Sequence, residues 1–336
     1  QESRLAVLEV HDLHVSFPTE RGTVQAIRGV SFSSRRGKML AIVGESGSGK
    51  STCASSILRL NPGAQVSGQI LFHGEDLLTR EPRRLRTTRG DRISIILQDP
   101  LSGLHPYYTV GWQLVETIRA HRPEVSKRRA RDWAIDGLDR VGLRDPRRVA
   151  ASYPFQLSGG MRQRAMIAMA VILDPEVLIA DEPTSALDVT VQAEILELIS
   201  SMKKETGMAV ILITHDLDIV SQMADDVVVM YAGLIVERAS GLDLFPRRAH
   251  PYTDGLLRSS LKQRASSGPL NSIPGSPPDP LKLPNGCSFH PRCSRATPRC
   301  QTESPPLTPV GDDATHDCSC WTPIDDALRT ADRTGI

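Results

Sequence analysis

The chemistry of this chain is concentrated in Gly44-Glu45-Ser46-Gly47-Ser48-Gly49-Lys50-Ser51-Thr52. The pattern G-x-x-x-x-G-K-[ST] suits a phosphate. Glycines let backbone N–H groups converge on phosphate oxygens without Cβ clashes, and the lysine adds a compact positive charge. The stretch follows the short apolar run Met39–Val43 and precedes helical sequence, which is the strand–loop–helix setting the chemistry needs. A helix starting there points its positive end at the same oxygens. Gly44, Ser46, Gly47 and Gly49 would shape the loop, Lys50 would reach the β- and γ-phosphates, and Ser51, with Thr52 beside it, would hold Mg²⁺.

Other residues extend this chemistry. The apolar run Val177–Ala180 ends in Asp181 and Glu182. One carboxylate at a strand end can hold the magnesium shell, while its neighbour orients and polarises a water. Gln98 ends the run Ile93–Leu97, where its amide could reach the metal or that water; a polar strand end is the plainer account of it. Ser158, Gly159 and Gly160 precede a helical stretch, so Ser158 can cap it and the exposed N–H groups can form a further anion site. His215 follows Ala209–Thr214 and could contact a γ-phosphate, although a histidine after a strand is usually structural. Two phosphate-type loops more than 100 residues apart suggest two chains meeting over one nucleotide.

These residues need a scaffold. Met39–Val43, Ile93–Leu97, Val177–Ala180, Ala209–Ile213 and Val227–Met230 are strand-length apolar runs. Val7–Phe17 and Val24–Phe32 flank the turn-like Pro18–Gly22 and predict antiparallel strands. Val191, Ile195, Leu198, Ile199 and Met202 share one helical face, with Gly207 as the stop. Strands alternating with helices predict an α/β fold on a mostly parallel sheet. Pro100–Leu157 reads as an inserted helical lobe.

Of 336 residues, 40% are apolar, which supplies a sizeable core, and the net charge is +1, which argues against nucleic acid as a partner. No run approaches the roughly 20 apolar residues of a membrane span. No leader pattern is read at the start, which is Gln1 rather than Met. The arginines of Arg80–Arg92 and the basic Lys127–Arg131 read as solvated faces, and Cys53 as a small buried apolar residue. Twelve of 24 prolines lie in Pro269–Pro323, and five of six cysteines in Cys287–Cys320, so a second regime begins near residue 266.

Taken in order, the motifs resemble the ATP-binding cassette of ABC transporters over residues 7 to about 260. The phosphate loop corresponds to Walker A, Gln98 to the Q-loop, Leu157–Met161 to the signature, Val177–Glu182 to Walker B, Ser185–Asp188 to the D-loop and His215 to the switch histidine. The resemblance implies a RecA-like core with antiparallel β and helical subdomains, and a head-to-tail dimer. Each ATP would lie between one chain's Lys50 loop and the partner's signature loop. It also implies that Asp181 and Asp188 serve the nucleotide and that Phe17 stacks on adenine, though Phe17 could equally be core. Ser158–Arg164, Thr184–Gln192, His250-Pro251-Tyr252 with Leu256 and Leu257, and Gly286–Cys293 resemble the dipeptide/oligopeptide importer ATPases, a group that includes nickel and glutathione importers.

The cysteine-rich tail has few large apolar residues, so it needs a staple. Disulfides do not suit a cytosolic ATPase, and the C-x₂₋₄-C pairs usual for zinc are missing. Four thiolates suit an iron–sulfur cluster, and the resemblance implies [4Fe-4S] on Cys287, Cys293, Cys300 and Cys320, with Zn²⁺ as the alternative. The family's ending His-x-x-small-Cys aligns with His316–Cys320 and favours Cys320 over Cys318. The expected layout is a cassette over 1–262 with its helical part at about 99–172, a linker over 263–285, a metal module over 286–323 and a tail over 324–336. The expected partners are a second, similar but distinct ATPase, two transmembrane permease subunits and an extracytoplasmic substrate-binding protein, at the cytoplasmic face of the cell membrane. The rival is a soluble ABC ATPase acting on nucleic acid.

Overall fold

The computed structural model describes residues 6–98, 103–185, 187–259, 273–311 and 313–324. Its strands are β1 (Ala6–Thr19), β2 (Gly22–Arg35), β3 (Met39–Val43), β4 (Gln65–Phe72), β5 (Glu75–Asp76), β6 (Ile93–Ile96), β7 (Val177–Asp181), β8 (Ala209–Thr214), β9 (Asp226–Tyr231), β10 (Leu234–Ser240), β11 (Thr308–Val310) and β12 (Asp313–Cys318). The chain divides into two compact units. The first comprises Gln1–Val7, Ser34–Lys38 and Thr79–Ile213; the second comprises Leu8–Ser33, Met39–Leu78 and Thr214–Ile336.

In the first unit β6, β7 and β8 run parallel, with Ile93–Ile96 beside Val177–Ala180 and Val177–Asp181 beside Ala209–Ile213. Every residue of β7 and β8 is buried, as continuous apolar runs require. The helical lobe appears as Val110–His121, Lys127–Arg140, Pro146–Ala151 and Gly159–Val171. Each of these helices starts on a short polar side chain that accepts a backbone N–H: Thr109 from Trp112, Ser126 from Arg129, Asp145 from Arg148 and Ser158 from Met161. Val189–Thr206 is helical and ends on left-handed Gly207, as the pattern predicts. Leu196 is among its buried residues and Leu198 is only half-buried, so the apolar face is rotated slightly from the expected one.

In the second unit the order β2-β1-β4-β5 forms a sheet of its own, with β1 and β4 antiparallel. β3 lies parallel to β9, but β9 pairs antiparallel with β10, β10 with β12 and β12 with β11. The expectation of a mostly parallel sheet therefore fails on this side. The sequence signal of β10 is broken by Glu237, a fully buried charge, and by Arg238 beside it. β4 is mostly solvent-facing and carries Gly68, which weakens its alternation.

The cysteine-rich segment, expected as a module apart, is built into this unit. β12 extends its sheet, and Phe289 packs into a core with Tyr231, Tyr252, Val229 and Leu244. Burying Phe289 contributes roughly 1.5–3 kcal/mol, which the sparse apolar content of the tail alone could not supply. The expected linker lies outside the described residues at 263–272. Its remainder, 273–285, has no helix or strand and is tied down, since the Pro274 carbonyl accepts from Arg292 Nε at 2.9 Å. The tail beyond 324 lies outside the described residues.

Candidate functional site

In the second unit β3 delivers the chain from a fully buried strand into Gly44. Gly44 has φ +151°, and a Cβ there would fall 2.3 Å from the Met230 carbonyl oxygen, so only glycine fits. Gly49 has φ +103°, with the Ala26 carbonyl 2.7 Å from a would-be Cβ. The helix Lys50–Ile57 begins immediately after it, and no side chain caps its first turn. Those N–H groups suit an anion. Lys50 is buried, and its ammonium donates to the carbonyls of Gly44 at 2.7 Å and Glu45 at 2.9 Å. Ser48 Oγ is buried and makes no hydrogen bond among the described residues. Ser46, Gly47 and Ser51 are exposed and Thr52 is half-buried. A cradle of backbone N–H groups with a buried lysine matches a polyphosphate in charge and donor count. Cys53 on the same helix is wholly buried, with its thiol pushed up to about 12 by desolvation.

In the same unit Phe17 is half-buried on β1, and His215 is exposed just after β8. Asp216 follows His215 and caps Leu217–Met223 by accepting from Asp218 and Ile219, which fixes the backbone on one side of the histidine.

The first unit assembles a second group of the expected residues. Asp181 is buried at the end of β7. Glu182 has φ +45°, a conformation that costs a non-glycine residue of order 1–3 kcal/mol, and its N–H is held by the Ile213 carbonyl at 2.9 Å. The Gln98 amide donates to Glu182 Oε2 at 3.0 Å. Ser185 Oγ donates to the carbonyls of both Gln98 and Glu182. Residues 84 apart in sequence are thereby joined at one strand end. Ser158 spends its hydroxyl on capping Met161 and Asp188 its carboxylate on Val191. The two loops also pack together: a Cβ on Gly160 would lie 2.9 Å from Val191 Cγ1, and one on Gly159 3.6 Å from Leu187 Cδ2.

The tail residues gather around the second unit's sheet. All six cysteines are unbridged thiols, so the disulfide alternative is not realised. Cys287 interacts electrostatically with Cys300 and Cys320, and Cys293 with Cys320, Cys287 and Cys300. Backbone N–H groups of Phe289, Arg295, Thr297 and Thr322 point at the sulfurs of Cys287, Cys293, Cys300 and Cys320 respectively. Burial pushes the Cys287 and Cys293 thiols up. Cys318 donates its proton to Cys320, which pulls Cys320 down to about 7 and raises Cys318. The expected metal set is nonetheless not preassembled. Among the described residues no group of three or more His, Cys, Asp or Glu side chains could hold a metal ion, and Cys287, Cys293, Cys300 and Cys320 form a neighbourhood rather than a cage.

Three site residues were invisible as such in the sequence. Glu45 sits at a variable position of the loop motif, yet its carboxylate pairs with both terminal nitrogens of Arg292 at 2.6 and 3.0 Å, and its N–H donates to Tyr252 Oη at 2.8 Å. Arg292 and Tyr252 belong to the stretches of importer resemblance, which marked them as notable without a role. Arg292 is buried, and its pairing with the half-buried Glu45 raises its already high affinity for its proton.

Comparison with known proteins decides the family. The family model described as ABC transporter matches residues 27–185, and that of the oligopeptide/dipeptide transporter C-terminal region matches residues 236–300. The dipeptide transport ATP-binding protein DppD of Bacillus subtilis is 48% identical over 318 residues, 94% of each chain. This chain belongs to the ATP-binding subunits of the oligopeptide/dipeptide ABC transporters. The probable D,D-dipeptide transport ATP-binding protein DdpD of Escherichia coli is 43% identical over 96% of this chain and 98% of its own. Among solved structures, the dimeric ABC transporter cassette MJ0796 matches at 25% identity with TM-score 0.63, covering 69% of this chain and 98% of that one. CbiO1 of Clostridium perfringens matches at 29% and TM-score 0.61, covering 73% of this chain and 92% of its own. The fold is thus that of an ABC ATPase cassette. Among the described residues no helix is long and apolar enough to cross a membrane.

Proposed function

We propose that this chain hydrolyses ATP to power import of di- or oligopeptides, as one of two cassettes in a head-to-tail dimer at the cytoplasmic face of the membrane. The observation that carries the chemistry is the Gln98–Glu182–Ser185 cluster beside buried Asp181. A carboxylate held by an amide is a base fixed in direction. Glu182 takes a proton from water as its oxygen attacks the γ-phosphorus and the bond to the β-phosphate oxygen breaks. Lys50 and the loop N–H groups hold the phosphates, and His215 contacts the γ-phosphate. Phe17 stacks on adenine. Ser51, Gln98 and Asp181 would hold Mg²⁺, which neutralises phosphate charge when bound. Ser158, Gly159 and Gly160 complete the partner chain's site, with Asp188 alongside. Their packing on Leu187 and Val191 supports a single rigid signature–D-loop surface.

The remaining partners are two permease subunits, a substrate-binding protein and a similar but distinct second ATPase. The permease reading is supported by exposed aromatics on the helical lobe: Tyr107 at 81% exposure, Phe155 at 69%, and Trp112 stacked on Tyr108 at 4.0 Å. The tail thiols Cys287, Cys293, Cys300 and Cys320 would hold a [4Fe-4S] cluster with a structural role. Supporting this are four sulfurs each facing a backbone N–H, with Cys287 and Cys293 both in electrostatic reach of Cys300 and Cys320. The test is ATP turnover by the complex purified with its permease in proteoliposomes. Binding protein loaded with peptide should stimulate turnover. Stimulation by nucleic acid and none by any peptide, or stimulation only by nickel or glutathione, would contradict the peptide reading.

A further inference from the structure

We infer that Arg292 is a positioning residue for the phosphate loop: through its two-pronged pairing with Glu45, the cysteine-rich segment sets the affinity of that loop for nucleotide. The inference rests on the reading that Gly44–Thr52 binds ATP.

Glu45 is held from three directions. Its N–H donates to Tyr252 Oη at 2.8 Å, its carbonyl accepts from Lys50 Nζ at 2.9 Å, and its carboxylate takes both guanidinium ends of Arg292. The phosphate chemistry of the motif asks nothing of this side chain, since the second position is variable. Its carboxylate therefore has another task, and its partner lies 247 residues away. Arg292 is itself fixed. Nε donates to the Pro274 carbonyl at 2.9 Å, Nη1 reaches Tyr231 Oη at 3.4 Å, and the guanidinium lies 5.9 Å from the Tyr231 ring centre. Tyr231 in turn packs on Tyr252 at 4.6 Å and on Phe289 at 5.2 Å. Side chains of Tyr252 and Arg292 thus converge on the second residue of the loop, with Tyr231 packed behind both.

The consequence runs through Lys50. Its ammonium is shared between the carbonyls of Gly44 and Glu45, so the position of Glu45 sets where that charge waits for phosphate. If Glu45 moves, the loop backbone and the ammonium move with it. Arg292 directly precedes Cys293, so the order of the cysteine segment is transmitted to the loop through one rigid fork. A lysine in place of Arg292 would keep the charge and lose the paired geometry.

The test uses the full chain and equilibrium ATP binding, with Lys50→Ala as control. Arg292→Gln and Glu45→Gln should each weaken ATP binding roughly tenfold, because a misplaced loop loses several oriented contacts at once. The double variant should be no worse than either single one, because both remove one interaction. Arg292→Lys should recover part of the loss. In the assembled transporter the KM for ATP should rise while kcat stays within about twofold of wild type, a split that general unfolding does not give. Glu45→Gln at wild-type affinity, or additive losses in the double variant, would overturn the inference. If Arg292→Gln does not fold, Glu45→Gln and Arg292→Lys carry the test. Loss of binding in Lys50→Ala alone overturns this inference and leaves the loop's role standing; undiminished binding in Lys50→Ala overturns both.

Discussion

The phosphate loop and the cysteine-rich segment occupy the same unit and are built on opposite principles. The loop is made locally. Gly44 and Gly49 hold conformations only glycine takes, and Lys50 bonds carbonyls five and six residues behind it. The segment is made by distant partners. Ser288 accepts from Arg28 at 2.8 Å, Arg292 pairs with Glu45, His316 donates to Glu237 at 2.8 Å, and β12 borrows an edge of β10. Local construction leaves a short motif in the sequence. Distant construction leaves single residues whose meaning depends on what they meet.

The largest effect should come from the loop. Gly44→Ala places a methyl 2.3 Å from the Met230 carbonyl oxygen and 2.9 Å from Ser48 Oγ, so the strand or the loop must shift. ATP binding should fall by more than about 100-fold, while the tail keeps its fold as read by protease resistance of 286–324. Binding within a few-fold of wild type would show that the loop is not locally fixed.

The next effect concerns the segment. Cys320→Ser should abolish iron binding in anaerobically purified protein, and Cys318→Ser should leave about four iron per chain. Cys318 is the donor to Cys320, not a fifth ligand in this reading. Equal loss in both variants, or stoichiometric zinc in wild type, would exclude the assignment. ATP binding should be largely retained in Cys318→Ser, because the segment and its Arg292–Glu45 fork keep their order.

The smallest effect is a pH dependence. His250 is wholly buried, and desolvation pulls it down to about 4, against an opposing pull from Glu237. Unfolded, it titrates near 6.5. Between those values the unfolded chain binds a proton that the folded chain refuses. The contribution of His250 is therefore present above about 6.5 and lost as pH falls toward 4, up to about 3 kcal/mol. Thermal unfolding of His250→Gln between pH 7 and 4.5 should show a shallower decline than wild type. Parallel curves would mean that another group sets the slope.

The same contrast explains how far the sequence could be read. β3, β7 and β8 were legible because they are buried on both faces and read as unbroken apolar runs. The helical lobe was legible as a helical stretch over 100–157 with Ser158 capping the helix that follows, whereas the caps Thr109, Ser126 and Asp145 were seen only in the structure. β10 and β12 were not, because Glu237, His316 and Asp317 place charges and imidazole in the interior, where Glu237 accepts from the N–H groups of Ala249 and His250 and from His316. Among site residues, Gln98, Asp181 and Glu182 could be named from strand ends, but the hydrogen bond joining Gln98 to Glu182 could not. Arg292 and Tyr252 carried only a resemblance; no spacing connects them with Glu45.

The central claim is that a fixed carboxylate at the end of β7 drives hydrolysis, and Glu182→Gln addresses it most directly. The variant keeps the shape of the side chain and its hydrogen bond to Gln98, and loses the charge that takes the proton. ATP turnover should be measured in the assembled transporter together with the nucleotide that stays bound. The account predicts ATP affinity within a few-fold of wild type, turnover reduced by roughly 100-fold or more, and unhydrolysed ATP retained on the complex. Turnover near the wild-type rate, with ADP as the bound nucleotide, would contradict it.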